Sequence, residues 1–172
     1  LSKTQFEEDI KKSETKNILV HRQRDVYIPP ECRKCNKIHV PKNPVDFIIF
    51  KTPILILTEL KSSGQKSISL DEKIIKKHQS ASLLKFVNYE KICSAFIFNF
   101  RNYDNQTYLV HIDDFIKFVK EGSRKSIPLS YCEEVGIKLE NKIMQVNYKY
   151  NLNKLFDDIN SKYFIEIEQS VN

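Results

Sequence analysis

The sequence predicts an α/β protein in which a mixed central β-sheet carries helices on its faces. Three observations predict it. Runs rich in Ile, Leu and Phe ("VDFIIF", "ILILTEL", "ICSAFIFNF", "QTYLVHI") gather in the middle of the chain. Segments of helical period precede, separate and follow them. At 172 residues the chain is long enough to bury a core between layers.

Taken in order, "TQFEEDIKKSE" reads as a short amphipathic helix with Phe6 and Ile10 on one side, and Thr4 with Glu7 forms a capping-box signature. "NILVHRQ" reads as a strand. Residues 27–43, "YIPPECRKCNKIHVPKN", have three prolines and no period, which predicts an excursion from the core, a loop or projecting arm. "VDFIIF" and "ILILTEL" are two strands, and "SSGQK" is a turn. "SLDEKIIKKHQSASLLKFV" is the best helix pattern, opened by Ser69 and Glu72 as a second capping box, with Leu70, Ile74, Ile75, His78, Ala81 and Leu84 on one side. Two further strands follow, then "IDDFIKFVKEG", a helix stopping at Gly122, and "LNKLFDDINSKYF", a C-terminal helix. No repeat or linker divides the chain, which predicts one domain over 1–172 with a tail over 150–172.

Composition narrows the function. Three glycines and the lack of GxGxxG or GxxxxGK[ST] argue against a phosphate-cradling nucleotide loop. A net charge of +6 and a pI near 9 favour polyanionic partners. The charge is uneven: "CRKCNKIHVPK" and "EKIIKKHQ" are basic and the stretch from Asn151 onward is acidic. Lys51 and Pro53 interrupt the longest apolar run, and "LSKTQFEEDIKK" lacks the apolar region of a signal peptide. The expectation is an intracellular protein with no membrane partner, cytoplasmic and nucleoid-associated or in a phage-infected bacterial cell.

Charge inside the apolar middle needs an explanation. If the two strands around "KTPI" form a hairpin centred on Thr52 and Pro53, Asp46 lies opposite Glu59. Opposed side chains share a face with Cβ atoms about 4.5–5.5 Å apart, and Lys61, two residues on, shares it too. Paired carboxylates repel unless a proton or a cation lies between them. Mg²⁺ takes oxygen ligands, often one or two carboxylates with substrate phosphate, and a lysine beside them can orient water or steady developing charge. D-x12-E-x-K on a hairpin therefore suits metal-assisted phosphodiester hydrolysis. The plain alternative is an ion pair of Glu59 with Lys61 and a turn role for Asp46.

"PVDF" followed by "ELK" resembles the motif of the PD-(D/E)XK nuclease superfamily. More closely, the chain resembles RecU-type Holliday junction resolvases, in particular their phage and prophage branch. The matching pieces occur in order as "FEEDIKKS", "HRQRD", "NPVDFIIF", "LTELKSSGQKSISL", "KKHQSASL", "FIFNFRN", "TYLVHIDDFIKFV" and "GSRKSIPL", covering most of residues 6–130. The resemblance implies a restriction-endonuclease-like fold with a projecting stalk, here residues 27–43. It implies Asp46, Glu59 and Glu7 as metal ligands, Lys61 as the catalytic lysine and Gln79 as a helix glutamine near the active site, with Glu8 the alternative to Glu7. Arg22 and Lys66 would contact DNA phosphate, and Arg33, Lys34 and Lys37 lie in the basic arm. The implied function is Mg²⁺-dependent resolution of four-way junction DNA by a homodimer, with Mn²⁺ able to substitute. The alternatives are another nickase or repair endonuclease of the superfamily, or a junction-binding recombination factor without hydrolysis. The stretch "PPECRKCNK" departs from the family at the stalk.

Cys32-x-x-Cys35 with His39 has the spacing of part of a zinc site, but zinc takes four ligands and no second CxxC follows. Reduced thiols are the expected state, with structural Zn²⁺ or a disulfide as alternatives. Cys93 reads as a buried small hydrophobe, Cys132 as a loop or strand-edge residue, and His78 and His111 as packing histidines.

Overall fold

The computed structural model describes residues 3–24, 43–122 and 124–164. Its elements run α1 (Lys3–Lys12), β1 (Leu19–Arg22), β2 (Phe47–Lys51), β3 (Ile54–Ser63), β4 (Ser67–Ser69), α2 (Lys77–Leu84), β5 (Ile92–Phe100), β6 (Gln106–His111) and α3 (Ile112–Glu121). They continue with β7 (Ser126–Pro128), α4 (Leu129–Val135), β8 (Ile137–Lys138), β9 (Asn141–Met144), β10 (Asn147–Tyr150), α5 (Leu152–Ile159) and a π-helical turn, Asn160–Phe164. The arm expected over 27–43, with Arg33, Lys34, Lys37, Cys32, Cys35 and His39, lies outside the described residues apart from Asn43.

Six strands form the central sheet in the order β1-β2-β3-β5-β6-β8. All neighbours are antiparallel except β3 and β5, which run parallel and are joined by a crossover through β4 and α2. The sheet is thus mixed, as expected. β2 and β3 pair Phe47 with Thr58 and Lys51 with Ile54, the register inferred from the hairpin centre.

Strand alternation divides the core into two layers. Ile54, Ile56 and Leu60 of β3, with Cys93, Ala95 and Ile97 of β5, face α1 and α5, where Phe6, Ile10, Leu155, Phe156 and Ile159 cover them. The other side of β5 presents Phe96, Phe98 and Phe100 to Leu83 of α2, Phe115 of α3 and Leu129 and Cys132 of α4. The Phe96 ring lies 4.5 Å from that of Phe115, centroid to centroid. Large side chains so enclosed each contribute about 1.5–3 kcal/mol of burial.

Several expectations change. The helix expected over 69–87 is formed only from Lys77 to Leu84. Ser69 instead ends β4, its hydroxyl accepting from the Asp71 amide at 3.1 Å, and the Asp71 carboxylate accepts from the Lys73 amide at 2.8 Å. These local bonds hold 71–76 in turns and reset the helical phase. Gln79 and Leu83 therefore face inward, while Ile74, Ala81 and Leu84 are exposed. Thr4 lies inside α1 and is no cap, because the helix begins at Lys3. Cys132 is in a helix rather than a loop and is fully buried. The β4–β7 ladder, β8 and the β9–β10 hairpin had no clear sequence signal: each strand is two to four residues long.

Two ends are well explained. α3 starts with His111 Nδ1 accepting from the Asp113 amide at 3.3 Å and stops at Gly122, whose φ of 64° is the left-handed C-cap that glycine adopts without strain. Asp9, buried on α1, fastens the β9–β10 hairpin: its carboxylate accepts from Gln5 Nε2 at 2.8 Å and from the Tyr148 amide at 3.1 Å. Among the described residues no helix is long and apolar enough to cross a membrane.

Candidate active site

Glu59 and Lys61 project from β3 on the side covered by α2, both beyond the β2 pairing that ends at Phe47 and Thr58. Asp46 stands one residue before β2, so the same register sets it opposite Glu59. Its backbone carbonyl accepts from the Gln23 amide at 2.8 Å, which pins the position to the end of β1. The strand pair places the two carboxyl groups together as the spacing requires.

The chemistry of the pair is visible in its protonation. Burial raises the Glu59 pKa to about 8, aided by a hydrogen bond to Asp46 and by its charge, while Lys61 opposes the shift. Glu59 is only 2% exposed and lies beside the aromatic layer of β5, across from Phe96. Glu59 therefore keeps its proton at neutral pH, in a hydrogen bond with Asp46.

α2 supplies the organiser. Gln79, 7% exposed, accepts from Lys61 Nζ at 2.9 Å and from the Lys76 amide at 3.2 Å, and its Nε2 donates to Glu59 Oε2. Lys61 Nζ also donates to Glu59 Oε2 at 3.4 Å. One amide thus fixes the rotamers of both buried ionisable residues and caps the first turn of its own helix. Gln79 faces the sheet only because α2 starts at Lys77.

Glu7 reaches the same cleft from α1, in the opposite layer, and Glu8 points to solvent. Arg22 at the end of β1 pairs with Glu7, N–H to Oε2 at 2.7 Å, and its guanidinium lies 5.9 Å from the Phe47 ring centroid. Among the described residues no three His, Cys, Asp or Glu side chains close on one point. Asp46 and Glu59 are together, and Glu7 stands beside them on Arg22.

Asp46, Lys61, Gln79, Glu7 and Arg22 line an open cleft of about 450 Å³, together with Gln23, Arg24, Lys73, Ile74 and Lys76. The basic run holding Lys73 and Lys76 is legible in the sequence as one that would neutralise DNA backbone, but neither lysine stands out individually, and nor does Arg24. The clue available was that run beside the catalytic motif; what it lacked was the turn at 71–76 that brings both lysines to the rim. Lys66 sits in the exposed turn between β3 and β4 and does not line this cleft.

The donor set suits a hard divalent cation. Two carboxylates with room for phosphate and water match magnesium-type ligation, and among the described residues no histidine or cysteine lines the cleft.

The chain is similar to known proteins in both sequence and fold. Residues 5–154 match the family model for RecU, Recombination protein U. The SPbeta prophage-derived uncharacterized protein YotM of Bacillus subtilis (strain 168) is 37% identical over 135 residues, 72% of this chain and 69% of that protein. In fold the chain is similar to Hjc of Archaeoglobus fulgidus, described as a Holliday junction resolvase from an archaeal hyperthermophile. That likeness has a TM-score of 0.50 at 13% identity and covers 78% of this chain and 94% of the other. The central sheet flanked by helices is thus restriction-endonuclease-like, and the chain belongs to the RecU (Recombination protein U) family.

Proposed function

We propose that this protein resolves four-way DNA junctions as a homodimer, hydrolysing phosphodiester bonds with Mg²⁺, or Mn²⁺ in its place, at the cleft lined by Asp46 and Lys61 with Glu59 buried beside them. The observation that carries the reading is that Gln79 holds both Glu59 and Lys61 while Glu59 also bonds Asp46, beside a cleft rimmed by basic side chains. Resolvases of this family generally use a divalent metal. Asp46 and Glu59 would hold it, with Glu7 nearest as a third carboxylate. When bound, the cation supplies Lewis acidity toward the scissile phosphate and an acidified water.

The chain's own residues do the rest. Lys61, held by Gln79, directs its ammonium toward the charge that develops on the phosphate oxygens. Arg22, Arg24, Lys73 and Lys76 neutralise DNA backbone around the cleft. Such contacts read backbone position and not bases, so junction shape selects the substrate. The described elements form one nuclease domain in this reading. Two copies related by a two-fold axis would offer two clefts to a junction with the same symmetry, cutting opposed strands. The place of work is the bacterial cytoplasm.

Asp46→Asn tests the reading. It removes one carboxylate and keeps the shape, so junction binding should persist in a gel-shift assay while Mg²⁺-dependent cutting disappears. A wild-type protein that binds junctions yet cuts none in Mg²⁺ or Mn²⁺ would sink the hydrolytic assignment.

A further inference from the structure

Glu7 and Arg22 divide their environment unequally. The Glu7 side chain is 7% exposed and that of Arg22 is 42% exposed, though the two touch at 2.7 Å. The arginine is therefore the partner that reaches the open cleft, while the glutamate sits under it. Arg22 stays at the cleft wall through its place on β1 and the Phe47 ring beneath it. A guanidinium has five donors in a planar fork and binds phosphate as readily as carboxylate. Glu7 occupies only part of that fork.

Removing Arg22 from a nearly buried carboxylate is costly unless another positive charge takes its place. Asp46 and Glu59 offer the place for such a charge: their carboxyl groups face each other across the β2–β3 register, and Glu7 lines the same cleft as Asp46 on the Arg22 side. The charges balance if two exchanges happen together. A DNA phosphate takes Arg22, and the cation between Asp46 and Glu59 takes Glu7.

We propose that Arg22 makes the third metal ligand substrate-dependent: junction phosphate displaces Glu7 from Arg22 and frees Glu7 to join Asp46 and Glu59. This rests on the reading that those carboxylates bind a divalent cation. The consequence is a nuclease whose cation site is complete only on DNA. By linkage, the cation must tighten junction binding by the same factor as the junction tightens cation binding.

The test is Mn²⁺ titration by calorimetry on the full chain, with and without a four-way junction made of hydrolysis-resistant phosphorothioate linkages. For the wild type, the junction should tighten Mn²⁺ binding by about tenfold or more, within the usual range of coupling between sites. Arg22→Ala should bind Mn²⁺ about tenfold more tightly than wild type without DNA, because Arg22 no longer competes with the cation for Glu7. Arg22→Lys, which keeps the charge but not the fork and guards against a folding defect in the alanine variant, should fall between the two. Glu7→Gln should bind weakly with or without junction. The proposal is overturned if Arg22→Ala and Arg22→Lys both bind Mn²⁺ as wild type does without DNA, or if the junction leaves wild-type Mn²⁺ affinity unchanged. Absence of Mn²⁺ binding in every state would overturn it too, and would in addition remove the two-carboxylate cation site beneath it.

Discussion

Glu59→Gln should make the metal-free protein more stable at alkaline pH while destroying its activity. In the folded chain the Glu59 pKa is raised to about 8 from an ordinary value of 4.5. Between those values the folded state keeps a proton that the unfolded state has released. Stability is therefore fully present below about pH 4.5 and falls as pH rises through about 8. A shift of this size corresponds to a ceiling of about 5 kcal/mol, at roughly 1.4 kcal/mol per pK unit. Asp46 is only half-buried and can relax away, so about half of that ceiling is a sensible expectation. In a chain of this length each kcal/mol moves the melting temperature by about 2–4 °C, giving a decline of about 5–10 °C between pH 5 and pH 9.

A glutamine at 59 removes the titration. Its carbonyl can still accept from Gln79 and Lys61, and its amide can donate to Asp46 as the Glu59 proton does. The assay is thermal denaturation in chelator across that pH range, comparing the two proteins so that other titrating groups cancel. The wild-type curve should fall relative to the variant by the amount above, and Mg²⁺ or Mn²⁺ should recover it in the wild type alone. Melting temperatures that stay parallel within about 1 °C across the range would refute the idea of a proton kept by Glu59 against Asp46.

Three further outcomes follow from single contacts. Gln79→Ala frees Lys61 and Glu59 from their common anchor and should lower the single-turnover cleavage rate by about 10- to 100-fold, with junction affinity in a gel-shift assay nearly unchanged. Asp9→Ala leaves the half-buried Tyr148 amide without its acceptor and should cost about 1–3 kcal/mol in urea denaturation, with early hydrogen exchange in β9 and β10. Gly136→Ala would bring a Cβ within 2.5 Å of the Cys132 carbonyl oxygen and 3.1 Å of that of Leu109, so α4 must shift, and a loss of about 1–3 kcal/mol should appear in the same measurement.

Much of this protein was legible from its order of residues. Apolar runs as long as "ICSAFIFNF" can be satisfied only as strands covered on both faces, so the central sheet and its flanking helices follow from composition and period. The turn around Pro53 set the register, and with period-two alternation this was enough to place Asp46 opposite Glu59 and Lys61 on their side. Resemblance carried Gln79 and Glu7 to the same neighbourhood.

Other features needed the assembled molecule. Helical period alone extended α2 to residue 69, because Ile74 and Ile75 fit it; β4 pairing with β7, sixty residues away, competes for that segment and wins. Short strands such as β8 and β9 have too few residues to show a period and exist because a neighbour completes their hydrogen bonds. The pairing of Glu7 with Arg22, the raised Glu59 pKa and the basic rim of Lys73 and Lys76 depend on distances between elements far apart in the chain. Local sequence sets which groups are present and which face of a strand they take; only packing decides how close they come and how much water is left between them, and electrostatic energy depends on both.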